Sequence, residues 1–167
     1  MTRARPWLDL LALAALAALV VTLDHGLHRS PRLAVLPAAL LGLTGGVVVA
    51  LALRVQPTLT ALRAAASPTL LAVIGVLVGV AAAEEAVWRW AVLDGLATVT
   101  APLVAVPLSA VCFAVAHGRT RRVIGTHTVT GGAFGLAYVA TGRLVAAIGA
   151  HASYNLVVFA ADLGRRA

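Results

Sequence analysis

The 167 residues are 61% hydrophobic and 11% charged, with a mean hydropathy of +0.97. A soluble domain of this length has no use for so much apolar surface, and the composition points instead to a membrane protein that crosses the bilayer several times. The net charge of +7 is carried by thirteen arginines and no lysine, placed mostly in short connections between apolar runs. Topology determinants facing anionic lipid are distributed in this way, which argues against a nucleic-acid surface.

Residues 1–5 and the apolar run 6–23 resemble a signal peptide. No small-residue cleavage site closes the run and further spans follow, so an uncleaved first helix is expected. The polar loop 24–32 carries His25 and His28, three residues apart. They sit beside Arg29 and Arg32 and are expected to be solvated rather than metal ligands. Residues 33–53 form the expected second span, with Gly42, Gly45 and Gly46 offering a close-packing face. A connection of weak helical character, 54–67, leads to Ser67-Pro68, an N-cap followed by proline at the first helical position.

The third helix then runs to Asp94-Gly95 and holds Glu84, Glu85 and Arg89 inside an apolar stretch. A charge at mid-membrane costs roughly 2.5–3.5 kcal/mol on insertion scales, so such groups face protein or water and mark function. Glu85 and Arg89, at i and i+4, can pair on one face. Glu84 has no such partner, because position 88 is Trp.

Residues 96–100 are expected to turn the chain into a fourth span, 101–117, with Pro102 near its start and Pro107 within it. Cys112 lies in this apolar run; as the single cysteine it excludes a disulfide, and a small core hydrophobe is expected. A basic turn, 118–122, precedes the fifth span, 123–140, whose Gly131, Gly132 and Gly135 form another small-residue face. His127, among threonines near the basic turn, is expected at the membrane interface. Thr141-Gly142-Arg143 turns the chain into a sixth span, 144–161, and a basic tail follows.

Six spans put both termini on one side, and nine connecting arginines fall on that side against three on the other. The termini are therefore expected in the cytoplasm. The expected fold is all-α: one membrane-embedded domain, residues 1–167, forming a bundle of about six transmembrane helices in the plasma membrane.

Three pairs recur at one spacing: Glu85 with Arg89, Phe113 with His117, and His151 with Asn155. Residues at i and i+4 share a helix face, so each pair points one way. At ~1.5 Å per residue, Glu84 lies roughly 15 Å from Asp94 and His151 roughly 12 Å from Arg143. His117 lies at about 15 Å if its regular helix begins at Pro107, and at roughly 24 Å if the helix begins at Ala101. With the later start, a carboxylate and two imidazoles meet near mid-membrane. Such a cluster has the parts hydrolysis needs. A carboxylate in an apolar site is a competent general base for water, and an imidazole can hold that water or pass on its proton. A second imidazole with an amide can donate to a developing oxyanion. One Glu and two His also match a hydrolytic zinc set.

The ordered set Glu84-Glu85-x-x-x-Arg89, Phe113-x-x-x-His117 and His151-x-x-x-Asn155 resembles the motifs of the CAAX prenyl protease and bacteriocin-processing family, the CPBP or Abi family. The glycine-rich helix and Thr-Gly-Arg-Leu turn over 131–144 share the likeness, which covers about the second half of the chain, a protease core of about 68–161. The resemblance implies an intramembrane endopeptidase. Glu84 and His117 would activate the attacking water, and His151 and Asn155 would form the oxyanion site. Glu85, Arg89 and Phe113 would support them. A metal, if present, would be a divalent ion such as zinc held by Glu84, His117 and His151; a metal-free glutamate mechanism is the competing form. One departure stands out: Trp88 and Trp90 flank Arg89 where the family commonly has Phe before it and Gly after it. The bulk of Trp90 could narrow the cavity. The expected partners are membrane lipid and a membrane-bound or lipidated peptide or protein. The rivals are a proton-relay transporter and a non-catalytic scaffold of the same fold. No inverted repeat supports the former, and the complete motif set argues against the latter.

Overall fold

The computed structural model describes residues 31–57, 69–118 and 120–166. The expected first span, 6–23, His25, His28 and most of the 54–67 connection lie outside them. The described residues form five helical rods and no strand. The first, α1, is Val35–Ala52; α2 is built of Thr69–Glu85, a π-helical stretch Ala86–Leu93 and a final α-helical Asp94–Val99. Three further helices follow: α3, Pro102–His117; α4, Arg121–Thr141; and α5, Leu144–Arg166.

The all-α expectation holds. By length and composition α1 and α5 can each cross a bilayer, whereas α3 is an apolar helix of shorter length. The count of six spans is not established by these elements.

The turns follow from local chemistry. The third helix does not stop at Asp94-Gly95 as the dipeptide suggests. Both residues continue the helix, and the tyrosine hydroxyl of Tyr138 donates to Asp94 Oδ2 at 2.7 Å. The stop comes at Thr100, which is extended, and Pro102 opens α3 near its N-terminus. The expected 96–100 turn is therefore mostly helix. Pro107 lies inside α3 without delaying its start, so His117 closes a helix that is regular from Pro102. The shorter depth count, which began that helix at Pro107, is corrected. Thr120 caps α4 by accepting from the Val123 N–H at 3.3 Å. Gly142, in the left-handed region at φ 66°, ends it, with its N–H bonded to the Tyr138 carbonyl.

Small residues let these helices approach. On α1, Ala38, Gly42, Gly46 and Ala50 form a buried stripe, and a Cβ at Gly42 or Gly46 would collide with the carbonyl oxygens of Ala146 and Ala150 on α5. Among the described residues, nothing lies within 4 Å of a Cβ built at Gly45, also expected on that face. Helix α5 is the hub, packed by α1, α2 and α4, while α3 lies along α4. The core is correspondingly fine-grained, with Ala81, Ala105, Ala146, Ala147 and Ala150 around Leu93, Phe134 and Tyr138. Large apolar side chains such as Leu36, Leu40, Leu103, Val115 and Leu136 point outward, as suits an acyl-chain environment. Cys112 also faces outward on α3, which corrects its expected core placement. A lipid-facing surface accepts a small apolar thiol as readily as a core does.

Candidate active site

Glu84 and Glu85 are the last residues of the first α-helical part of α2, just before its backbone widens into the π-helix. Wide turns of this kind are rare and tend to occur at functional sites. Within this stretch the Trp88 carbonyl accepts a hydrogen bond from Ser109 Oγ of α3 at 3.2 Å. The two neighbouring carboxylates then meet different surroundings.

Glu85 is fully buried, as is Arg89. Glu85 Oε2 accepts from Arg89 Nε at 2.5 Å, and Glu85 Oε1 faces His151 Nδ1 at 2.9 Å. The guanidinium also lies over the Phe113 ring, 5.9 Å from its centroid. Close approach of α4 makes room for it, since a Cβ at Gly135 would come within 3.2 Å of Arg89 Nη1. Glu85 is thus fixed by a cation on one side and an imidazole on the other.

Glu84 is 30% exposed, and its carboxylate lies between two imidazoles. Oε1 lies 3.4 Å from His117 Nε2 and Oε2 lies 3.6 Å from His151 Nε2. Both separations are longer than a good hydrogen bond, so the three groups flank a position without closing it. Each ring is oriented through its other nitrogen: His117 Nδ1 donates to the Phe113 carbonyl at 2.8 Å, and His151 Nδ1 faces Glu85. A carbonyl only accepts, so the neutral His117 ring carries its proton on Nδ1 and presents a lone pair at Nε2. Phe134 stacks on His151 at 4.9 Å and Phe113 packs on His117 at 4.2 Å.

These side chains open onto a cavity of about 150 Å³. Glu84, His117, His151 and Asn155 all line it, as does Phe113. The four side chains expected to work together do share one space, and Glu85 and Arg89 stand just outside it. Larger grooves between α3 and α4 and between α1 and α4 are lined almost wholly by apolar side chains and hold none of these groups.

Three wall residues escaped sequence reasoning along with His127, which was expected at the interface: Thr130, Phe134 and Tyr154. His127, Thr130 and Phe134 fall at i, i+3 and i+7 on α4, a one-face spacing that was available as a signal. Tyr154 adjoins Asn155, and nothing in its own position announces it. His117 is also the last residue of α3, beside the basic turn, rather than at the middle of a span. Among the described residues, no three His, Cys, Asp or Glu side chains form a metal-ligand set. As placed here, Glu84, His117 and His151 do not make up such a set.

The family model described as "Type II CAAX prenyl endopeptidase Rce1-like" matches residues 66–157, more than half of the chain. The chain belongs to this Rce1-like family. The matched segment contains every motif residue named above, from Glu84 to Asn155. As an Rce1-like chain it is a membrane-embedded hydrolase of the CAAX endopeptidase type, in a family that acts on membrane-associated prenylated peptides. No match was found among curated proteins or among solved structures.

Proposed function

We propose that this Rce1-like chain hydrolyses a peptide bond in a membrane-bound or lipidated peptide, with Glu84 as general base. The supporting observation is a polar cavity into which three helices place Glu84, His117, His151 and Asn155, while a buried arginine engages the adjacent Glu85. A water between Glu84 and His117 is activated by transfer of a proton to the Glu84 carboxylate as its oxygen attacks the scissile carbonyl carbon. The oxyanion is met by the Asn155 amide and by His151 Nε2 when that nitrogen carries a proton. Collapse breaks the C–N bond, the proton leaves Glu84 for the departing amine, and a carboxylic acid, which still carries the second water proton, and an amine are released. His117 holds the water, and Glu85 holds His151 in the required orientation.

The proposal extends to placement. The protein sits in the plasma membrane with both termini in the cytoplasm, and the cavity lies toward the basic 118–122 turn, so substrate arrives from the cytoplasmic face. The deciding experiment offers prenylated and unmodified membrane-anchored peptides to wild-type and Glu84→Gln protein in proteoliposomes, and compares processed membrane peptides in cells carrying either form. The Glu84→Gln protein should keep wild-type stability and lose roughly 10²–10⁴-fold in kcat, the contribution of a general base. Equal cleavage by both proteins would end this assignment.

A further inference from the structure

The motif residues occupy three helices and leave one side of the cavity to α4, which contributes none of them. That wall is made by His127, Thr130 and Phe134. Its hydrogen-bonding character can be worked out atom by atom. His127 Nδ1 donates to the Val123 carbonyl at 2.9 Å; the carbonyl can only accept, so the neutral ring keeps its proton there and presents a lone pair at Nε2. The Thr130 hydroxyl donates to the His127 carbonyl at 3.3 Å, which leaves its oxygen lone pairs. Phe134 offers no polar atom and stacks on His151. The α4 wall therefore only accepts.

The His127 ring is also held in a fixed attitude. It lies parallel to His117, 5.5 Å between centroids and 16° between planes, and 5.9 Å from Phe113. Two rings tied to the carbonyls of antiparallel helices and stacked on each other form one rigid edge of the cavity. A hydrocarbon would serve as well for packing alone; an imidazole places an acceptor there.

Resting on the hydrolytic reading above, we propose that His127 is a substrate-binding residue: its Nε2 accepts a hydrogen bond from a backbone N–H of the peptide, and this contact sets which stretch of substrate backbone lies across Glu84. A peptide threaded between the motif residues and α4 turns one backbone N–H toward the accepting wall. It turns the scissile carbonyl toward Asn155 and His151.

The test replaces each backbone amide of a prenylated, membrane-anchored peptide in turn by an ester, which removes the N–H with little added bulk. Binding is measured to the Glu84→Gln protein, where turnover does not interfere. One replacement should weaken binding about tenfold, the size of a single hydrogen bond. Adding His127→Phe, which keeps the stacked ring, should reduce that penalty to less than about twofold, and His127→Gln, which retains an acceptor, should restore much of it. Melting temperatures of the variants establish that they fold. A scan with no His127-dependent position overturns the contact, even if wild type cleaves the peptide and Glu84→Gln does not. A His127-dependent position with no cleavage by wild type sinks the hydrolytic reading and leaves the contact standing. A peptide that binds neither protein overturns both.

Discussion

Glu85→Gln isolates the buried electrostatics, because it changes charge and leaves shape nearly constant. In the native site Glu85 meets two donors, Arg89 Nε and His151 Nδ1. An amide at position 85 has one oxygen and one NH₂ group. It can satisfy one donor and must turn its own N–H groups toward the other. Among the described residues Arg89 is then a fully buried cation without a counter-ion, and its Nη1 already lacks a hydrogen-bond partner there. Removing one member of a buried pair costs about 3–5 kcal/mol, or two to almost four decades in the folded-to-unfolded ratio. Adding Arg89→Met removes the stranded charge, fills similar volume and lets the amide oxygen serve His151 alone. The double variant should therefore recover most of the loss, with a coupling of about 2 kcal/mol or more. The measurement is reversible unfolding of the four proteins in mixed micelles by SDS titration, followed by far-UV circular dichroism. The reasoning fails if Glu85→Gln lies within about 0.5 kcal/mol of wild type, or if the double variant is no more stable than the worse single one.

The contrast with Glu84→Gln follows from exposure: the partly open carboxylate should cost activity and not stability, and the same titration with the cleavage assay separates the two. Gly42→Ala and Gly46→Ala should each destabilise by about 1–3 kcal/mol, because the added methyl meets the backbone of α5, which cannot yield as a side chain can. Gly45→Ala, with nothing among the described residues near its Cβ, should lie within about 0.5 kcal/mol of wild type in that titration. Reporter fusions at both termini should read cytoplasm and one in the Thr141–Arg143 turn should not; a tail reported outside would mean an odd number of spans.

What local order could determine, the chain made legible. Apolar runs separated by arginines marked the helices, and i, i+4 spacing put Glu85 with Arg89 because that geometry belongs to one helix. Gly142, within the expected Thr141-Gly142-Arg143 turn, announced the end of α4 through its backbone freedom. The ordered motifs reached the family before any contact was known.

The rest depended on how helices rotate and slide against each other. In a bilayer the outward face is as apolar as the core, so periodicity does not say which side of α1 or α3 is buried, and Cys112 and Gly45 went astray for that reason. Asp94-Gly95 looked like a stop, yet helix continues through it, with a tyrosine 44 residues away bonded to the aspartate. The contact of His151 with Glu85 spans 66 residues, and the stacking of His127 on His117 needs the close approach of α3 and α4. Residue type and spacing fix what a side chain can do. Only the packing of the helices decides which of these groups share a cavity, because that position is set by contacts far apart in the chain.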